Sequence, residues 1–147
     1  MISSTSLLSF IHLIGLAIGV GAATVKLVLL FKCKIDHNLV NVFVKVSKPV
    51  TQLIIFGLIL LTLSGIGWII LGYSFTSLLI VKIVIVAAIW IIGPLIDNVI
   101  EPKFNKLAAT EDQHNTSEFV KILNKYLMME VLATGLFYVI IIIWVLV

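Results

Sequence analysis

Residues 7–31 read LLSFIHLIGLAIGVGAATVKLVLLF, and the fold is decided by that stretch. Only two of its side chains can carry a charge, His12 and Lys26. As an α-helix it rises about 1.5 Å per residue and so spans the roughly 30 Å of a bilayer's hydrocarbon core. Leu7–Phe31 therefore reads as a transmembrane helix. Outward from it lie three further apolar runs, Val50–Leu71, Leu78–Ile96 and Tyr126–Val147, each near or above the ~20 residues a spanning helix needs. Of the 147 residues 61% are hydrophobic and 12% charged, where a soluble domain has about 25% charged. Four spans use nearly the whole chain, which leaves no room for a soluble module. The expectation is a single integral membrane domain over 1–147, all-α, folded as a four-helix transmembrane bundle.

The first run reads as a retained helix, not a leader: no Lys or Arg precedes it and no clean small-x-small site follows. Cys33 is alone, so an internal disulfide is excluded. Ten lysines and no arginine give a net charge of +3, which suits lipid headgroups, not nucleic acid. The lysines sort by loop. The first connection carries Lys32, Lys34, Lys45 and Lys48, the third carries Lys103, Lys106, Lys121 and Lys125, and the second, Gly72–Ser77, carries none. The positive-inside rule then puts loops one and three in the cytoplasm and both termini outside, as expected in a bacterial inner (cytoplasmic) membrane.

Local signals refine the boundaries. Gly72-Tyr73-Ser74-Phe75 reads as a tight turn that pairs helices two and three as an antiparallel hairpin. Thr76 or Ser77 suits the N-cap of helix three, and Ser47 before Pro49 suits the start of helix two. Ile35, Leu39, Val42, Phe43 and Val46 recur at helical spacing, as a short interfacial helix or an extension of helix one. Pro94 and Pro102 interrupt or end helix three. Asn115 followed by Glu118 resembles a capping box that starts helix four before Tyr126.

Polar groups inside the spans carry the functional argument, because each costs several kcal/mol there. His12 and Lys82 stand at similar depth from the outer face. A neutral imidazole can bind iron or copper or accept a proton, and a lysine stripped of water can lose its proton and become a ligand. The alternatives are a hydrogen-bonded histidine and a lysine that snorkels to the outer headgroups. His12, Gly15, Gly19, Ala23 and Lys26 share one face of helix one. Gly15-x-x-x-Gly19 is a close-packing pattern in lipid, or else room for a flat ligand beside His12, with Gly67 opposite. Nearer the cytoplasm, Lys26 and Glu130 fall at matching depth. They are expected to form an ion pair that fastens helix one to helix four, with Gln52 as a hydrogen-bond partner and Asp97 at similar depth. His37 and His114 fall in loops and read as solvated. No HExxH, CxxC, GxSxG or phosphate-loop pattern occurs, so hydrolytic and nucleotide chemistry have no foothold.

His12 followed by Gly19-Val20-Gly21-Ala22 resembles the His-x6-Trp-x-small-Gly opening of four-helix membrane proteins that include HemJ-type protoporphyrinogen oxidases and CopD-like copper-resistance domains. Val81-Lys82-Ile83-Val84-Ile85-Val86 resembles the lysine-bearing start of their third helix, and Met129-Glu130-Val131 their Asn-Glu-Val-Pro entry to the last. The resemblance implies that His12 and Lys82 contact a haem or porphyrin. Gly19 stands in place of the tryptophan, Leu27-Val28 in place of a Pro-Arg pair, and Met129 and Leu132 in place of Asn and Pro. The missing arginine is the group that would hold a propionate, so the resemblance speaks for the fold more than for oxidase activity. The leading expectation is thus haem b or another tetrapyrrole among helices one to three, with cofactor contacts at His12, Lys82, Gly15, Gly19 and Gly67, His12 and Lys82 as metal ligands, and an oxidoreductase or electron-transfer role. The rival is a cofactor-free accessory or scaffold subunit, in a homo-oligomer or larger membrane complex, that uses the glycine face and Phe137, Tyr138 and Trp144 as contact surfaces. Copper binding in the CopD manner is weaker, since Met1, Met128 and Met129 do not gather near His12.

Overall fold

The computed structural model describes residues 4–110, 114 and 116–145, with side chains as far as residue 143. All regular structure in it is helical: α1 (Ser4–Ile35), a 3-10 turn (His37–Leu39), α2 (Val40–Ile70), α3 (Ser77–Leu95), a π turn (Ile96–Ile100), α4 (Glu101–Ala108) and α5 (Ser117–Val145). Four helical stretches are long and apolar enough to cross a membrane: Ser4–Ile35, His37–Ile70, Ser77–Ala108 and Ser117–Ile143. Met1, Asn115 and the side chain of Trp144 lie outside the described residues.

The helices run further than the apolar runs, and the surplus is polar or amphipathic sequence recruited by packing. α2 begins at Val40, not near Ser47, and passes straight through Pro49. The stretch around Phe43 thus extends helix two, neither helix one nor a separate interfacial helix. Asp36 ends the link from α1 by accepting the Asn38 amide, and burial of Val40, Phe43 and Ser47 then holds the extra turns of α2. Pro94 does not stop α3 either. The helix continues to Leu95, widens so that the Glu101 amide reaches Ile96 O, and resumes as α4 with Pro102 in its first turn, where a missing N–H costs nothing. Thr76 caps α3 by accepting from the Leu79 amide, 3.2 Å. Thr116 caps α5 by accepting from the Phe119 amide, 3.3 Å.

Two apolar clusters organise the interior. One, at the lysine-rich end, packs Phe43 of α2 against Phe104 of α4 and Phe119 and Tyr126 of α5, with ring centroids 5.4–5.8 Å apart. The other lies mid-bundle around Val20, Ala23, Leu58, Ile89 and Phe137. α1 and α2 cross most closely. A Cβ on Gly57 would meet the backbone of Gly19 and Gly15, and one on Gly15 would stand 2.9 Å from Leu60 Cβ. Three glycines thus let two backbones touch, as small residues do in lipid. α2 and α3 are joined by the expected short turn at Gly72 (φ +89°) as a loose hairpin: α2 leans on α1 and α3 on α5, the backbones of α2 and α3 scarcely approach, and their side chains meet around Leu58 and Ile89.

Candidate functional site

Lys26 is 2% exposed although it lies in the middle of an apolar helix. One face of α1 carries it past the Gly19–Gly57 crossing to a point where α2, the π turn, α4 and α5 converge. Its Nζ lies 2.9 Å from Glu130 Oε1, 3.2 Å from Glu101 Oε2 and 3.4 Å from Asp97 Oδ1, and donates to Thr51 Oγ1 at 2.8 Å. The ring of Tyr126 lies beneath the ammonium, 5.5 Å from its centroid, a cation–π arrangement. Glu101 is held twice more, by Ser47 Oγ donating to Oε1 at 2.9 Å and Tyr126 O–H donating to Oε2 at 2.8 Å.

Three of the chain's seven acidic residues therefore converge on one ammonium. Structural economy does not explain that number. One carboxylate would neutralise Lys26, and each further ion taken out of water carries a desolvation penalty of several kcal/mol. If all four groups are ionised the cluster has a formal excess of two negative charges. A cavity of about 110 Å³ adjoins it, with Lys26, Thr51, Asp97, Glu130 and Thr134 among its lining residues. Thr134 is 2% exposed, and its hydroxyl has no hydrogen-bond partner. An unpaired buried hydroxyl costs about 1–3 kcal/mol, so the cavity wall carries one unsatisfied polar group at Thr134.

The expected residues fall in two groups. Lys26 and Glu130 meet in the cluster. Gln52 is not their partner: it is exposed, and Thr51, one residue earlier and about 100° round the helix, takes that place. Asp97 joins through the π turn. Glu101, Tyr126, Ser47 and Thr134 were not among the expected site residues. For Glu101 the signal was its i, i+4 spacing from Asp97, hidden because two prolines flank the pair.

His12 and Lys82 lie at the other end. His12 is half-buried, and its Nδ1 is 2.8 Å from Ser64 Oγ. Ser64 donates to Leu60 O at 2.7 Å, so its oxygen accepts from Nδ1–H and Nε2 keeps a free lone pair. Lys82 is partly exposed, with no hydrogen bond or ion pair among the described residues. The space facing Gly15 and Gly19 is filled by the backbone of Gly57, and a Cβ at Gly67 would meet the tip of Leu8. No planar group fits between α1 and α2 at the glycine crossing. Among the described residues, no three His, Cys, Asp or Glu side chains are arranged to hold a metal ion.

His114 is not solvated. It is buried, stacks on Phe119 with centroids 5.1 Å apart, and donates from Nε2 to Ala108 O at 2.9 Å, closing the end of α4.

The chain matches no protein-family model, no curated protein and no solved structure.

Proposed function

We propose that this membrane protein works through the Lys26–Asp97–Glu101–Glu130 centre, which binds and exchanges a proton within the bilayer. The observation that carries the reading is the surplus of carboxyl groups around a single buried lysine. In low dielectric such a surplus is tolerable only when a proton or cation offsets it. Glu130 and Asp97 line the cavity and are the exchanging groups, while Glu101, bound by Ser47 and Tyr126, is the fixed counter-charge. Ionisable residues that face a bundle interior are the usual parts of ion pathways. With loops one and three taken as cytoplasmic from their lysines, the centre belongs to the cytoplasmic half of the membrane.

Infrared difference spectroscopy of protein in nanodiscs across a pH series tests this. The expected result is a protonated-carboxyl C=O band that titrates and is lost or shifted in Glu130→Gln. A spectrum with no titrating carboxyl band would overturn the proposal.

A second reading has its own observation. Ser64 fixes the His12 ring and leaves Nε2 unbonded, which suits an axial haem ligand of the kind the HemJ-type resemblance implies, with Lys82 nearby. Such a haem would sit outside the α1–α2 glycine crossing. Visible spectra of oxidised and dithionite-reduced protein decide it: a Soret band lost in His12→Ala supports haem, and a flat spectrum after haem supplementation sinks it.

A further inference from the structure

The cavity beside the carboxyl centre has an entrance. The backbones of α2 and α3 scarcely approach, and beside the contact of Leu58 with Ile89 the two helices leave a cleft. Ile55 and Leu58 of α2 and Trp90 and Gly93 of α3 line it. Ile55 and Trp90 are 41% and 38% exposed within membrane-spanning stretches, so the mouth faces lipid and not water. One polar contact bridges the two helices near the mouth, Trp90 Nε1 donating to Thr62 Oγ1 at 3.1 Å. No side chain fills the space beside Gly93, where an added Cβ would meet nothing within 4 Å. The cleft therefore leads from the bilayer, between apolar walls, to a floor made by Asp97, Glu130 and Thr134.

We infer that the α2–α3 cleft admits a lipid-dissolved protonated amine, whose ammonium seats against Glu130 and Asp97 while its apolar part stays between Ile55 and Trp90. Three features select this occupant. The floor carries two carboxyl groups, Asp97 and Glu130, which when ionised favour a cation over a neutral or anionic amphiphile. A space of about 110 Å³ holds an ammonium head but not a bulky tail, which remains in the mouth. The Thr134 hydroxyl, buried and unpartnered, gains the hydrogen bond it lacks from an N–H donor. Trp90 at the rim adds a ring face on which a cation can pause. The inference rests on the proposed exchange at Glu130, because amine and proton would compete for the same carboxylate.

Trp90 itself can report binding. In a Trp68→Phe, Trp144→Phe background in nanodiscs, para-bromobenzylamine is expected to quench Trp90 fluorescence saturably, with competition by octylamine and none by octanol. Glu130→Gln removes the anionic acceptor and should weaken the quenching at least about tenfold, in the range of a lost charge-assisted hydrogen bond. Gly93→Leu places a side chain in open space within the cleft, so folding is retained while the quenching is blocked. Thr134→Val keeps shape, removes the hydroxyl and should weaken binding severalfold. Quenching that rises linearly without saturation, or that Glu130→Gln and Gly93→Leu leave intact, would overturn the inference. So would quenching by brominated lipid alone, which would make the cleft an acyl-chain groove. The infrared titration separates the two levels. A titrating carboxyl band without amine binding removes the amine and leaves the proton centre, whereas saturable, Glu130-dependent amine binding without such a band keeps the cleft site and removes proton exchange.

Discussion

Lys26 holds the least replaceable charge in the chain, since its ammonium answers three carboxyl groups and a threonine hydroxyl at once. Breaking a buried ion pair by removing one partner typically costs about 3–5 kcal/mol, mostly as uncompensated charge. Lys26→Met should therefore lower the thermal midpoint in detergent sharply. Adding Glu130→Leu to it should restore part of the loss, because that removes one of the stranded carboxylates. A Lys26→Met protein as stable as wild type would mean the carboxyl groups carry no charge that needs the ammonium. Tyr126→Phe is the gentler test. It deletes the donor to Glu101 Oε2 and should cost about 1–3 kcal/mol, read in the same melts. At this scale the sequence went halfway. Lys26 and Glu130 stand out by depth alone, since each is the one Lys, Asp or Glu in its apolar run, Leu7–Phe31 and Tyr126–Val147. Asp97 was placed at the same depth, as the end of helix three, but Glu101 was not, because Pro94 and Pro102 made the chain around it read as a helix end. Thr51 lost out to Gln52 because depth along a helix is legible in a sequence but rotation about its axis is not.

At the scale of elements, the α1–α2 crossing and the π turn bring the centre together. Gly57 sits so close to Gly19 and Gly15 that any Cβ clashes with backbone, and backbone cannot give way as a flexible side-chain tip can. Gly57→Ala should separate α1 from α2, withdraw Thr51 from Lys26, and destabilise the protein strongly. Gly93→Ala and Gly65→Ala, where a Cβ meets open space, should leave the melting transition nearly unchanged. Equal effects at the three positions would refute the crossing. The small-residue spacing on α1 was visible in the sequence, but its partner was not, because Gly57 is a single glycine with no motif of its own. The π turn was equally silent, since a widened helical turn leaves no composition signal. It often accompanies functional sites, and here it lies between the helix through Pro94 and the one begun by Pro102, with Asp97 and Glu101 at its two ends.

For the whole molecule, four apolar runs predict four spanning helices, and the structure contains four such stretches. What the runs could not give is which helices touch. Lipid-facing and bundle-facing surfaces are equally apolar here, so no hydrophobic stripe distinguishes them, and the short α2–α3 turn gave the hairpin but not that α2 would lean chiefly on α1 and α3 on α5. Sidedness can be tested with cysteine reporters, since native Cys33 is buried and should stay silent. In inside-out and right-side-out vesicles, Ser74→Cys should react with an impermeant maleimide from the outer side and Lys103→Cys from the cytoplasmic side, as the lysine distribution requires. Labelling of both from one side would exclude this topology.

The account turns on whether one lysine is shared by three carboxyl groups from different parts of the chain. Solid-state NMR of isotope-labelled protein in lipid can measure the approach of Lys26 Nζ to the carboxyl carbons of Asp97, Glu101 and Glu130. The account predicts close contacts to all three, with those to Asp97 and Glu130 sensitive to pH. Contact with Glu130 alone, and none to Asp97 or Glu101, would reduce the centre to an ordinary ion pair between two helices and remove the basis for both proton exchange and amine binding.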